Sequence, residues 1–246
     1  MDWNWRKEHL DLVLVPSGLL IMFGYHLFLL YRYQRIPHKT TIGYENHFNV
    51  AWIERIMQVE AKDRGQALSV ISSNITAATS LSSISLVLSS LIGTWIGSST
   101  ENIFTSNLVY GNTSPSVVSI KYITLLSCFL VAFACFVQTA RLFVHANFLI
   151  SMPNCKIPLS YIEKPVTTAS AFWSIGIRAL YFAIILLLWI FGPIPMFVSS
   201  VIMVVTLHIL DSNSTELHEF QPTPSDNSFD KIGKEMTAVT RGYWTP

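Results

Sequence analysis

Among the polar or ionisable side chains in the apolar stretches of this 246-residue chain, seven are candidates for a common polar layer: His26, Asn74, Gln138, Arg141, Arg178, His208 and Asp211. If those stretches cross a membrane, an ionisable group inside them costs at least about 2.5–3.5 kcal/mol on insertion scales and needs a partner or water. Arginine and histidine around a wet cavity can bind anions or lipid headgroups and relay protons. Arginine paired with aspartate instead holds helices together. The residue types therefore leave a binding site and a structural polar layer open.

Five apolar runs supply these side chains. A bilayer core about 30 Å thick needs about 20 apolar residues of helix, and the runs at 10–31, 70–97, 120–145, 171–191 and 193–211 approach or exceed that length. Gly192 suits the end of one helix and Pro193 the first turn of the next. The sequence predicts an all-α, polytopic integral membrane helix bundle of about five transmembrane helices. The alternative has four spans, with the last hairpin re-entrant or the first run parallel to the surface.

The polar side chains align in depth when residues are counted along each predicted helix at about 1.5 Å per residue. His26, Arg178 and His208 fall at similar depth. Asn74, Gln138 and Arg141 fall one or two turns deeper, toward the cytosolic ends. The prediction places no Asp or Glu inside a span, which leaves Asp211 as the nearby carboxylate. A guanidinium at Arg178 reaches that far along a neighbouring helix.

The connections and the second span have their own patterns. Apolar residues at 48, 52, 56 and 59 predict an amphipathic helix near 44–60, lying along the cytosolic membrane surface or against the bundle. The run from 66 to 97 is rich in Ser and Thr, which let helices approach closely in lipid, and predicts a central helix with neighbours on several sides. Trp95, Trp173 and Trp189 lie near span ends, as interfacial anchors do.

Basic residues orient the chain. Lys and Arg concentrate in 31–66, in 141–170 and after 211, whereas 98–119 contains neither and includes the sequon at Asn112. The positive-inside rule then predicts a non-cytosolic N-terminus and a cytosolic C-terminus. The plasma membrane is the default expectation. The polar segment 212–246 predicts a disordered cytosolic tail.

Catalytic and cofactor motifs are not found in the sequence. It contains no GxGxxG, GxxxxGK[ST], HExxH or GxSxG pattern. Three cysteines form no metal-binding spacing, and a net charge of +1 gives no argument for nucleic acid. We therefore expect no enzyme, no cofactor and no metal. The expected partners are membrane lipids and, in a homo-oligomer, further copies of the chain.

Three long blocks carry a family resemblance: LDLVLVPSGLLIMFGYHLFLLYR, SIKYITLLSCFLVAFACFVQTARLFVHANFLI and FWSIGIRALYFAIILLLWIFGPIPMF. They resemble the plant branch of the membrane proteins that carry domain of unknown function 599, over roughly residues 10 to 211. The resemblance implies a multi-span membrane protein and carries no site residues over. For function we expect a structural, adaptor or regulatory membrane protein. The alternative is a transporter or channel-like protein for an anion or lipid, using the polar layer.

Overall fold

The computed structural model describes residues 3–97, 114–153 and 157–213. The predicted sequon at Asn112 and the predicted tail from residue 214 onward lie outside this part of the chain. Within it, the secondary structure is helical, with no β-strand. The long helices are α1 (Trp3–Arg35), α2 (Thr41–Gln58), α3 (Gly65–Gly97), α4 (Pro115–Ser151), α5 (Ser160–Phe191) and α6 (Pro193–Asp211). Two short 3₁₀ helices, Pro37–Lys39 and Ala61–Asp63, flank α2.

Five helices contain segments that are long and apolar enough to cross a membrane: Leu10–Arg35, Gly65–Trp95, Pro115–Ser151, Ser160–Phe191 and Pro193–Asp211. The predicted all-α bundle with five such helices is confirmed. Between α5 and α6 the chain turns at Gly192, which has a φ of 150°. Only glycine adopts that backbone region at low cost, and Pro193 then begins α6 without needing an intrahelical hydrogen-bond donor.

The helices pack largely in chain order, α3 on α4, α4 on α5, α5 on α6 and α6 on α1, and α2 packs mainly against α5. We call the end of the bundle with the Gly192 turn the hairpin end, and the opposite end, where α2 lies, the connector end. At Gly18 of α1, an added Cβ would stand 3.0 Å from the Ser200 Oγ of α6. The absence of a side chain there therefore allows α1 and α6 to approach closely.

Two groups of buried side chains form the core. The larger group lies toward the hairpin end and joins five helices through residues such as Met22, Ile92, Leu125, Ile185 and Met196. The smaller group lies at the connector end and attaches α2 through Ile53, which is fully buried against α3, α4 and α5. The two clusters hold the bundle together on either side of the polar side chains described next.

Helix α3 departs from the prediction. The sequence predicted a central helix, but α3 packs chiefly against α4 and exposes much of its surface. Its hydroxyl groups do not need neighbouring helices, because they bond to its own backbone. Thr76 Oγ1, for example, donates to the carbonyl of Ser72 at 2.9 Å, and Ser83 Oγ to that of Thr79 at 3.0 Å. The prediction of a central position was wrong because such back-bonding satisfies serine and threonine in lipid without a partner.

Candidate functional site

One carboxylate joins three helices near the connector end. Arg178 Nη2 of α5 donates to Asp211 Oδ1 of α6 at 2.8 Å, and Tyr25 Oη of α1 donates to Asp211 Oδ2 at 2.8 Å. The Arg178 and Asp211 side chains are only 16% and 12% exposed, and Tyr25 is buried. Charge-assisted hydrogen bonds of this length are among the stronger polar contacts in proteins. We call these three residues the Asp211 triad.

The sequence pattern did not identify Tyr25 as a member of the triad. Tyrosine is common on apolar helices because its ring packs like phenylalanine and only its hydroxyl needs a polar partner. The available signal was that Tyr25 adjoins His26, at the same depth as Arg178. Arg178 donates to Asp211 Oδ1, and the buried Tyr25 hydroxyl supplies the hydrogen bond to the second carboxylate oxygen, Oδ2.

The two candidate histidines lie beside the triad. His26 Nδ1 is 2.7 Å from the Met22 carbonyl, and its ring centroid is 5.1 Å from that of Phe182. His208 is exposed and meets Tyr25 edge to face at 6.4 Å between ring centroids. Two buried atoms, His26 Nε2 and Arg178 Nη1, have no hydrogen-bond partner within the described residues. The structure therefore brings His26, Arg178, His208 and Asp211 into one region.

The other three candidates lie elsewhere. Gln138 and Arg141 bond to each other on α4, with Arg141 Nη1 3.5 Å from Gln138 Oε1, and Arg141 is exposed. Asn74 is an exposed residue of α3 that lines a cleft beside α2. The prediction assumed that similar depth brings side chains together. Depth fixes only the position along a helix, while the direction of each side chain depends on how the helix is rotated.

The end of α6 is also tied to the connector after α1. Thr41 Oγ1 donates to the Leu210 carbonyl at 2.7 Å, and the Asn213 backbone N–H donates to the Lys39 carbonyl at 3.1 Å. Thr40 and Ser212 form an isolated antiparallel bridge. Thr40 is fully buried, and its hydroxyl oxygen caps α2 by accepting from the Gly43 N–H at 3.2 Å. The triad is therefore held in place by the backbone on both sides of Asp211.

Arg64 forms a further junction that the sequence did not reveal. Its guanidinium donates to the carbonyls of Val59 and Met57, at 2.9 and 3.3 Å, and to that of Ile150 at 3.2 Å. These carbonyls belong to the last turns of α2 and α4, or to the residue just beyond, where backbone acceptors lack helical partners. A cation there also complements both helix dipoles. Nothing in the spacing of a loop arginine indicates which carbonyls it will reach.

A second polar cluster occupies the hairpin end. Trp189 Nε1 of α5 donates to Asp11 Oδ1 of α1 at 3.1 Å, and Lys121 Nζ of α4 lies 5.3 Å from the centroid of the Trp189 ring. Lys121 and Trp189 are buried. We call these residues the Trp189 cluster. The prediction that no Asp or Glu lies inside a span was wrong, because Asp11 falls within the apolar segment Leu10–Arg35. Trp189 is a buried link between helices rather than a lipid-facing anchor.

Clefts flank α2 at the connector end. A cleft of about 140 Å³ is lined by Glu45, Trp173, Arg178 and Asp211, among others. A larger one of about 500 Å³ shares Glu45 and Trp173 with it and extends between α2, α3 and α5. Glu45 is outside the membrane-spanning segments. Partial burial, followed by the negative charge of Asp211, raises the pKa of its carboxyl group above the ordinary glutamate value.

Comparison with known proteins places the chain in a family. A family model described as "Protein of unknown function, DUF599" matches residues 13–216. The chain belongs to this family. Neither a curated protein nor a solved structure matches it. Because the family has no described function, the match adds no functional residue. The five long apolar helices are what indicate a membrane-embedded protein. The plant origin stays a prediction.

The described residues contain no group of three or more His, Cys, Asp or Glu side chains that could hold a metal ion. The Asp211 triad has a single carboxylate, already engaged by a guanidinium and a phenol. Such an arrangement fixes the relative positions of three helices. Its remaining capacity for binding lies in the two buried nitrogen atoms without partners, on Arg178 and His26.

Proposed function

We propose that this DUF599 protein is a structural, adaptor or regulatory membrane protein without enzymatic activity. The observation that carries the proposal is the 2.8 Å ion pair between Arg178 and Asp211, which Tyr25 completes. A transport site for an anion needs a cationic group that a ligand can engage. The ion pair instead offsets the charge of Arg178 with an internal carboxylate and uses the guanidinium to join α5 to α6.

The proposed placement of the protein follows from its basic residues. We propose a non-cytosolic N-terminus, a cytosolic C-terminus and, as the default, the plasma membrane. The connector end then faces the cytosol, and α2 lies at the cytosolic membrane boundary. Glycosylation mapping checks this threading: an acceptor tag inserted in 151–170 stays unmodified if the proposal is right. Glycosylation of that tag would show that the chain has the opposite orientation.

Membrane lipids and further copies of the chain are the proposed partners. Support for a homo-oligomer comes from the exposed surface of α3, where small and hydroxylated residues such as Ser72, Thr76 and Ser80 would allow close helix packing. Cysteine cross-linking along this surface in native membranes tests the idea. We expect cross-links between copies at these positions and none at Val144, an exposed residue of α4.

One variant pair separates the structural proposal from transport. We expect Arg178→Ala to lower the yield of folded protein, because it leaves Asp211 buried without its cation, and such losses cost about 3–5 kcal/mol. The double variant Arg178→Met with Asp211→Leu removes both charges and should recover most of the yield. Yield is measured by size-exclusion chromatography of a fluorescent fusion. Normal yield for Arg178→Ala, together with selectively lost flux in liposomes, would refute the structural proposal.

The alternative function, a transporter or channel-like protein for an anion or lipid, has one observation in its favour. Arg178 Nη1 and His26 Nε2 are both buried without a partner among the described residues. Buried polar atoms normally find one, and an anion on Arg178 or a water between the two would supply it. Reconstituted liposomes loaded with chloride or phosphate test this directly. Flux that the Met/Leu double variant abolishes while remaining folded would establish the alternative.

A further inference from the structure

The cleft of about 500 Å³ beside α2 has a composition that the proposed function does not use. Four aromatic side chains line it, Phe48 and Trp52 from α2, Phe143 from α4 and Trp173 from α5. Glu45 stands at its border with the smaller cleft. Its volume lies within the range of about 300–1,000 Å³ that is typical of small-molecule sites. The lining is mainly apolar, with Asn49, Asn74 and Ser170 as further polar contributors.

Helix α2 does not bury the apolar face that its sequence pattern predicts. Ile53 and Ala51 are the buried residues of α2, whereas Phe48, Trp52 and Ile56 are only half-buried. Phe48 and Trp52 border the 500 Å³ cleft, and Trp52 and Ile56 border a further cleft of about 400 Å³. Apolar rings that face open space at the predicted membrane boundary gain stability when an apolar group covers them. These two clefts are therefore suited to a ligand with an apolar part.

The charge of the lining selects the polar part of that ligand. Among the residues that the structure describes, no Lys or Arg borders the 500 Å³ cleft, and Glu45 is the one carboxylate there. Arg178 and Asp211, in the adjoining smaller cleft, already neutralise each other through their ion pair. Asn49 Nδ2 is engaged with Ser170 Oγ at 3.1 Å. A cation is therefore favoured over an anion in this cleft.

Aromatic faces combined with a carboxylate are the setting in which proteins bind ammonium groups. A cation within about 6 Å of an aromatic ring gains about 0.5 to 2 kcal/mol, and quaternary ammonium ligands are recognised by several rings at once. We propose that the 500 Å³ cleft binds the ammonium headgroup of a membrane amphiphile, such as a choline phospholipid, with Glu45 as counter-ion and with Phe48, Trp52 and Trp173 around the cation. The acyl chain of the amphiphile lies against the half-buried apolar side chains of α2.

The electrostatic surroundings of the Glu45 carboxyl group favour a positively charged ligand. Partial burial and the charge of Asp211 both disfavour its ionised form, and its pKa is raised accordingly. A bound ammonium group would offset both effects by supplying the positive charge. Although its carboxyl group is partly desolvated, Glu45 as a whole residue is exposed and borders both clefts. This proposal does not depend on the structural function proposed above, since lipid binding is measured without any flux.

Native mass spectrometry of the delipidated full-length protein in maltoside detergent tests the proposal. Phosphatidylcholine and phosphatidylglycerol with identical acyl chains are titrated separately. We expect wild-type protein to bind phosphatidylcholine about tenfold more tightly, a difference in the range that one cation–π and carboxylate contact provides. Glu45→Gln should remove most of this preference, and Glu45→Lys should reverse it in favour of phosphatidylglycerol.

The matched control is Glu54→Lys, which makes the same charge reversal at an exposed position of α2 that does not border the cleft. It should leave the preference unchanged. Equal binding of the two lipids to wild-type protein, or an equal effect of Glu54→Lys and Glu45→Lys, would overturn the proposal. Competition with tetramethylammonium distinguishes a soluble ammonium compound from a lipid as the ligand of the cleft. Displacement of the lipid indicates that a soluble ammonium compound suffices, and no displacement indicates that the apolar chain is required.

Discussion

The two ends of the bundle neutralise their charges in different ways. At the connector end, Arg178 and Asp211 are in direct contact at 2.8 Å. At the hairpin end, the indole of Trp189 bonds to Asp11 on one side and contacts Lys121 through its ring face. Both arrangements attach α1 to the rest of the bundle. The first concentrates charge in one contact, and the second distributes it through an aromatic ring.

This difference predicts which end determines the stability of the protein. A direct ion pair with little exposure leaves a strongly unfavourable buried charge when one partner is removed. A contact distributed through an indole leaves smaller deficits, because each part of it is weaker. Removing the polar partners at each end in turn tests this contrast.

The largest expected effect comes from removing the two carboxylates. Asp211→Ala should lower the free energy of unfolding by about 3–5 kcal/mol, because it leaves Arg178 buried without its counter-ion. Asp11→Ala should cost about 1–3 kcal/mol, the usual effect of losing one hydrogen-bond partner. Unfolding by sodium dodecyl sulfate in mixed micelles measures both. Equal losses would show that the two ends contribute alike and would contradict the contrast.

Removing the hydrogen bonds that Tyr25 and Trp189 donate should lower stability by amounts that differ less than those for the two carboxylates. Tyr25→Phe removes the hydroxyl that donates to Asp211 and should cost about 1.5–3 kcal/mol, as bonds to charged groups do. Trp189→Phe removes the N–H that donates to Asp11 and should cost somewhat more, because the smaller ring also leaves space in the core. The double variant Tyr25→Phe with Asp211→Ala separates the energy of the hydrogen bond between these residues from the energy of packing the Tyr25 ring. A purely additive result would mean that the Tyr25 hydroxyl does not act through Asp211.

A smaller effect is expected for Lys121→Met. The methionine side chain keeps most of the buried volume and removes the cation over the Trp189 ring, a contact of about 0.5–2 kcal/mol. The control is Lys164→Met near the start of α5, which should be neutral. A loss as large as that for Asp211→Ala would show that Lys121 forms a second strong charge pair. In that case the hairpin end would resemble the connector end.

The smallest effect concerns pH and Glu45. A carboxyl group whose pKa is higher in the folded state binds its proton more tightly there, so its contribution to stability falls as pH rises above the ordinary glutamate value of about 4.3. Lipid-free protein should therefore lose a little stability as the pH rises above about 4. Glu45→Gln should flatten this part of the stability curve. A variant whose stability still falls with pH as the wild type does would contradict the assigned cause.

The sequence supported the helices and the hairpin well, because span length and the Gly192-Pro193 turn depend on local chemistry. It also brought Arg178 and Asp211 into consideration, since both lie in apolar surroundings at similar depth. It could not show Tyr25, whose polar atom is hidden in an otherwise apolar pattern. It also missed Lys121, because one lysine at the start of a long apolar run does not change the prediction of a span.

Other differences arise from helix rotation and from backbone acceptors. Asn74 and Arg141 were predicted to lie one or two turns from Arg178 in the same polar layer, but Asn74 lines a cleft beside α2 and Arg141 bonds to Gln138. The junction at Arg64 depends on three carbonyls, which every residue type provides and no sequence pattern identifies. Residues on one helix are related by a fixed period, whereas contacts between helices depend on packing that this period does not determine.

The bridge between Thr40 and Ser212 has a consequence for the order of biosynthesis. Thr40 emerges from the ribosome early, and Ser212 emerges only after every helix that the structure describes has been made. The start of α2 therefore waits for its last backbone partner until the chain is nearly complete, and a contact so distant in sequence also forms slowly. A chain truncated before Ser212 would therefore lack the bridge that joins the start of α2 to the end of α6.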